Sequence, residues 1–177
     1  TEAICLEYGA RFISHAWLGF TETKNFANTQ AKYPLILSLD ADEALSDRLK
    51  ASILAVKARE SIKAAFNMNR LTNYCGKWIK HCGWYPDIKI RLFHREHAHW
   101  TGKVIHEKLT TDQGIEIEHL EGDLLHYSYY SIAGHVAQAN RFIQQGPRFT
   151  TQDGQALCAR IQKLEPQPQP CTFLDER

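Results

Sequence analysis

The sharpest change from apolar to polar positions lies at residues 35–43, where Leu35-Ile36-Leu37-Ser38-Leu39 runs directly into Asp40-Ala41-Asp42-Glu43. A short apolar run introduced by Pro34 and ended by charge predicts a buried strand of an α/β sheet. Upstream, Ala3, Ile4 and Leu6 followed by Gly9 predict a helix over 1–7 that ends at a left-handed residue. Ala10 to Ser14 predicts a short strand with Phe12 and Ile13 in the core, and Trp17 to Phe20 an aromatic loop. Thr21 is placed to cap a helix running to about Lys32, which carries Lys24 and Asn25. Ser46 is placed to cap the next helix, whose apolar positions Leu49, Ile53 and Val56 follow near-helical spacing. This alternation of helix and strand predicts parallel strands joined by crossover helices.

From Ala64 the period changes, since Phe66 and Met68 alternate with Asn67 and Asn69. Strand-like runs follow at Lys89 to Phe93, before Trp100 to Glu107, at Ile115 to Ile117 and at Leu124 to His126, so this half reads as mixed or antiparallel. Ser131 opens an amphipathic helix to about Gln145, stopped by Gly146-Pro147. Ala156, Leu157, Ile161 and Leu164 predict a last helix within 150–164, and the Gln-Pro repeat of residues 165–170 predicts an extended tail.

Composition narrows the class without naming a function. With 44% hydrophobic and 23% charged residues in 177, the chain is long enough for one sizeable core. A formal charge of +1 gives no general pull toward nucleic acid. No apolar run approaches the roughly 20 residues of a membrane-spanning helix, and no leader pattern opens the chain, so a cytoplasmic setting is the expectation. Cys5, Cys75, Cys82, Cys158 and Cys171 are odd in number and scattered, which suits reduced thiols. Cys75, His81 and Cys82 match no common zinc spacing.

Candidate chemistry concentrates at the acidic turn. Asp40 and Asp42 follow a strand end, where ligands of open α/β sheets bind, and both can reach one hard divalent cation or one ribose. The plainer alternative is that Asp42 and Glu43 favour the N-terminus of the following helix by about 0.3–1 kcal/mol. The stretch from Asn73 to Asp87 is rich in aromatics, glycines and cations, a composition suited to stacking on sugar rings and pairing with phosphates, or to a hydrophobic hairpin packed on the core. His126 ends a predicted strand, as Asp40 does.

Taken as an ordered set, Trp17-Leu-Gly-Phe20, Lys24-Asn25, Leu37-Ser-Leu-Asp-Ala-Asp-Glu43, Gly83-Trp-Tyr-Pro-Asp87, Arg91-Leu-Phe93, Trp100-x-Gly102 and His106-Glu107 resemble one family. The chain resembles the family-2 glycosyltransferases of lipopolysaccharide core biosynthesis, including the β-1,4-glucosyltransferases of the inner core, from about Thr1 to Arg141. The resemblance implies a GT-A-like mixed sheet flanked by helices, a nucleotide-diphosphate sugar donor, a divalent metal (Mg²⁺ or Mn²⁺) and inversion at the anomeric carbon. It implies Asp42 as principal metal ligand with Asp40 and His126 beside it, and Asp40, Lys24, Asn25 and Arg91 at the donor. It further implies Glu107 as the base, with Asp87 second, Lys103 as a further cation, and Trp84, Tyr85 and Trp78 at a lipopolysaccharide or other glycan acceptor. No nucleic-acid partner is expected, and peripheral contact with the cytoplasmic face of the inner membrane follows from such an acceptor.

Two departures from the family stand beside the match. Relatives carry an opening strand and an acidic nucleotide-binding loop ahead of the region matching Thr1, so the expectation is an N-terminally incomplete GT-A domain over 1–148 with a divergent helix and Gln/Pro-rich tail over 149–177. Two other functions compete. A non-catalytic carbohydrate-binding module would use only the Trp78, Trp84 and Tyr85 loop, and a metal-dependent phosphohydrolase would use Asp40 and Asp42.

Overall fold

The computed structural model describes residues 1–62, 64–102 and 107–145, with side chains as far as 140. Among these residues lie α1 (Glu2–Glu7), α2 (Phe20–Thr29), β1 (Leu35–Leu37), β2 (Glu43–Leu45), α3 (Asp47–Lys57), β3 (Ala64–Tyr74), β4 (Lys77–Ile79), β5 (Asp87–His94), β6 (Ala98–Thr101), β7 (Lys108–Thr111), β8 (Glu116–Tyr129) and α4 (Ile132–Gln145). Two units divide the chain, Thr1–Ile132 and Ala133–Arg177. Almost all of α4 falls in the second, where it forms the amphipathic helix expected after Ser131. The predicted helix of 150–164 and the Gln-Pro tail lie outside the described residues.

The first unit is built on a six-stranded mixed sheet in the order β1-β5-β3-β8-β2, with β4 added on β3. The long strands β3 and β8 run parallel, and every other described pair is antiparallel. A mixed sheet was expected, but the parallel crossover arrangement of the first half is not what forms. β1 pairs antiparallel with β5 and β2 antiparallel with β8, so each takes its partner from the second half. Hydrophobic runs specify which face is buried and leave the neighbour open, and a strand of three residues takes whichever long partner completes its ladder.

The core lies where the pattern put it. Ser46 accepts a hydrogen bond from the Leu49 amide at 3.3 Å, capping α3 as expected. Leu49, Ile53 and Val56 pack with Phe66, Met68, Leu92, Leu120 and Leu124 in one cluster. The two predicted strands at Ile115 to Ile117 and Leu124 to His126 are one strand, β8, interrupted by a bulge. Asn67 and Asn69 of β3 face His119 and Asp123, so β8 advances four residues while β3 advances two. Within that bulge Gly122 has φ +100°, and a Cβ there would sit 2.3 Å from the Leu49 amide nitrogen. Only glycine lets α3 approach β8 so closely.

Three expectations fail at the start of the chain. Ala10 to Ser14 is not a strand, and Phe12 and Ile13 remain 40% exposed, because no described strand lies alongside to complete a ladder. Thr21 is not the cap of α2, which begins at Phe20 after Gly19; its hydroxyl donates instead to the Gly102 carbonyl at 3.1 Å. The same helix ends at Thr29 and does not reach Lys32.

Candidate functional site

The site follows from where β1 and β2 sit. They are consecutive in the chain but occupy opposite edges of the main strand order, so residues 38–42 must cross β5, β3 and β8 to join them. The crossing is fastened at both ends: the Ser38 amide donates to the Arg91 carbonyl at 2.8 Å, and the Tyr127 amide to the Asp42 carbonyl at 2.8 Å. In between, the Glu43 amide donates to the Asp40 carbonyl at 3.0 Å while the Asp40 amide donates to Glu43 Oε2 at 2.9 Å, which closes the turn reciprocally. The acidic turn is therefore suspended over side chains from three strands. On β5 these are Asp87 and Lys89, two residues apart on one face, and Arg91, at a bulge where Leu92 and Ile90 pair with the adjacent Phe66 and Asn67 of β3. Arg70 of β3 lies directly opposite Asp87, and His126 of β8 opposite Glu43.

These groups form an unbroken series of alternating charge. Glu107 meets Lys24 at 3.2 Å, Lys24 meets Asp40 at 3.1 Å, and Asp40 meets Arg91 at 2.7 Å. Arg91 meets Glu43 at 2.6 Å, Glu43 meets Arg70 at 3.7 Å, Arg70 meets Asp87 at 2.6 Å, and Asp87 meets Lys89 at 2.8 Å. Arg91 is 4% exposed and the Glu43 side chain is wholly buried, so the middle of the series lies inside the protein. Burial works to raise the Asp40 pKa, but Arg91 and Lys24 outweigh it and hold the carboxyl below its ordinary range. At Asp87 burial is likewise outweighed, by hydrogen bonds and charge from Lys89 and Arg70, and its pKa is also lowered. Burial pulls the Arg91 pKa down, and Glu43 and Asp40 more than restore it.

Beside this series lies a second, less crowded pair. Asp42 Oδ2 is 3.3 Å from His126 Nε2, with the Asp42 side chain 46% exposed. His126 Nδ1 is 3.4 Å from the Thr72 hydroxyl, which fixes the ring from behind. The separation fits two adjacent ligands of one octahedral ion with bonds of about 2.1 Å. Among the described residues no third His, Cys, Asp or Glu joins them, so the rest of a coordination shell would be water or ligand oxygen. Both oxygens of Asp40, by contrast, already face cations.

Two cavities open on the series and share Arg70. One, of about 530 Å³, is lined by Lys24, Asp40, Arg91, Trp100, Glu107 and Lys108 among others. The other, of about 320 Å³, is lined by Trp84, Pro86, Asp87, His126 and Tyr129 among others. Glu107 lines the first and uses only Oε1 on Lys24; among the described residues its Oε2 has no partner. Asp87 has each oxygen on a cation, Oδ2 on Arg70 and Oδ1 on Lys89.

The expected aromatic residues divide. Trp84 is 40% exposed in the second cavity and meets Tyr74 edge to face at 5.8 Å. Trp78 packs on Tyr127 with ring centroids 5.3 Å apart. The Tyr85 hydroxyl donates to Asp123 at 2.8 Å, a bond that with burial raises its pKa. Asn25 turns both ends of its amide to the Trp100 backbone, donating to its carbonyl at 2.9 Å and accepting from its amide at 2.8 Å. Lys103 and His106 lie outside the described residues. Glu43, read at most as favouring a helix N-terminus, begins β2 instead, and Arg70 had no expected role, yet both stand in the middle of the series; the signal was present as a third carboxylate in the turn and an arginine on the Asn67-x-Asn69 strand.

No family model matches the chain. It is 28% identical over 173 aligned residues to a protein of Rickettsia typhi named an uncharacterized glycosyltransferase, covering 85% of this chain and 57% of that protein. A protein of Rickettsia felis with the same description is 28% identical, covering 89% and 59% respectively, and one of Rickettsia bellii is 30% identical over 155 residues, covering 79% and 51%. The chain spans a little over half the length of the curated relatives it matches. Among the described residues no helix is long and apolar enough to cross a membrane. This chain is a distant homologue, at 25–30% identity, of Rickettsia proteins named as uncharacterized glycosyltransferases.

Proposed function

We propose that the chain carries the metal and acceptor side of an inverting, family-2 glycosyltransferase on a GT-A-like fold. The sugar, glucose by the resemblance, passes from a nucleotide-diphosphate donor to a lipopolysaccharide core or similar glycan at the cytoplasmic face of the inner membrane. The observation that supports this most is the difference among the carboxylates around the sheet crossing. Asp40 and Asp87 have both oxygens on cations and Glu43 has Oε1 on arginine and Oε2 on the Asp40 amide, whereas Asp42 and Glu107 each keep an oxygen with no partner among the described residues. The two open carboxylates serve different ends of one reaction.

Asp42 and His126 would hold a Mg²⁺ or Mn²⁺ ion, which when bound neutralises the charge that builds on a leaving diphosphate. Glu107 takes the proton of the attacking acceptor hydroxyl on Oε2, at the wall of the larger cavity. Trp84, with Trp78 beyond it, offers an exposed ring face to a sugar, the arrangement that suits an acceptor glycan. Arg91 and Asp40 position the crossing between them.

Sugar transfer from a UDP-sugar to a core glycan acceptor, compared for Glu107→Gln and Asp87→Asn, tests the reaction. A positioned base is worth about 10²–10⁴-fold in rate, so Glu107→Gln should lose transfer by that factor with donor binding unchanged. Near-parental transfer by Glu107→Gln, with loss in Asp87→Asn, would move the role to Asp87.

A further inference from the structure

Three side chains of α2 address the paired strands β6 and β7 and the residues beside them from one helix face. Thr21, Lys24 and Asn25 stand at i, i+3 and i+4 and so project together. Thr21 bonds the Gly102 carbonyl, and Asn25 clamps both backbone groups of Trp100. Lys24 lies between these anchors with its side chain 19% exposed. Its ammonium is 3.1 Å from Asp40 Oδ1, 3.2 Å from Glu107 Oε1 and 4.4 Å from the centre of the Trp100 ring. Two carboxylates and an aromatic face already enclose the cation, and a phosphate could claim it only by displacing one of them.

We infer that Lys24 is a positioning residue for Glu107, fixing that carboxylate at the wall of the larger cavity with Asp40 as second anchor, and that it does not bind the donor. The inference rests on Glu107 as the base of the proposed transferase. The bidentate amide of Asn25 acts in the same sense, because it locks the helix to the strand and lets Lys24 hold Glu107 from a rigid base. The unused Oε2 is then presented to the acceptor in a defined direction, and misplacement by about 1 Å is enough to cost roughly 10²-fold in rate.

The test compares Lys24→Met, Lys24→Arg and the parent chain in three measurements, which are UDP-sugar affinity with Mn²⁺ by calorimetry, sugar transfer, and amide hydrogen exchange. Lys24→Met should lower kcat by about 10²-fold while donor Kd stays within about threefold, and Lys24→Arg should recover most of the loss because it keeps a cation between the two carboxylates. Exchange at residues 107–109 should quicken by about tenfold in Lys24→Met with β3 unchanged, which separates local loosening from unfolding. Donor Kd weakened tenfold or more with kcat retained would make Lys24 a donor ligand and overturn the inference, as would unchanged exchange at 107–109. An inactive parent would count against the transferase reading, and exchange at 107–109 would then decide the positioning claim by itself.

Discussion

Asp40 and Asp42 are separated by one alanine, yet they occupy opposite electrostatic settings. Asp40 has one oxygen on Arg91 and the other on Lys24, and Glu43 lies buried behind Arg91. Asp42 meets a single neighbour, His126, although its side chain, 46% exposed, is little more open than that of Asp40 at 38%. The difference follows from the turn, since the Glu43 amide closes back on the Asp40 carbonyl and the chain changes direction between the two aspartates, which an extended segment would have kept on one side. One side of the turn is thus built into the protein as charge balance, and the other remains available to a ligand. A short acidic motif need not act as one unit.

Stability separates the two sides most strongly. Removing the guanidinium in Arg91→Met leaves the buried Glu43 with only Arg70, at 3.7 Å, and Asp40 with only Lys24 as cations, and truncating one partner of a buried ion pair costs about 3–5 kcal/mol. Urea unfolding of Arg91→Met should show a loss of that size, while Asp42→Asn stays within about 0.5 kcal/mol of the parent. Equal losses in the two variants would erase the distinction.

A smaller effect is expected in acid. Because the Asp40 pKa is lowered in the folded state from its ordinary 3.8, the native protein binds fewer protons there than the unfolded chain does. Its stabilising contribution is therefore complete above that ordinary value and declines as pH falls through the lower, folded one. The stability gap between the parent and Asp40→Asn should be constant above about pH 5 and narrow below about pH 4. The Asp40 side chain is 38% exposed, so the gap is modest. A gap that widened on acidification would reverse the assigned sign.

Much of the fold is legible in the sequence alone. Ser46, Leu49, Ile53 and Val56 declare α3 because a cap and a 3.6-residue period are local signals. Phe66, Met68 and Leu92 declare the central strands for the same reason, with a period of two. What local pattern does not carry is partnership. It leaves open that β1 and β2 pair antiparallel with strands from later in the chain, that two predicted strands are one bulged β8, and that Ala10 to Ser14 lacks a ladder. The site shows the same limit. Asp40, Asp42, Lys24, Arg91, Glu107 and His126 stand out one by one, but Glu43 and Arg70 acquire meaning only once the crossing brings β3 and β5 beneath the turn. No hydrophobic residue before Leu49 is buried, so the opening of the chain offers the least packing from which to choose a partner.

In the proposed transferase, Asp42 and His126 form the open, metal-binding side of the turn, and this side receives a nucleotide-diphosphate sugar. Calorimetric titration of the chain with a UDP-sugar, in Mn²⁺ and again in EDTA, tests it directly, with Asp42→Asn and His126→Ala alongside. Binding should require Mn²⁺ and weaken at least about tenfold in each variant, since losing one of two protein ligands affects metal affinity at least as much as losing a supporting contact does. Binding equally tight in EDTA, or unchanged in Asp42→Asn, would contradict it.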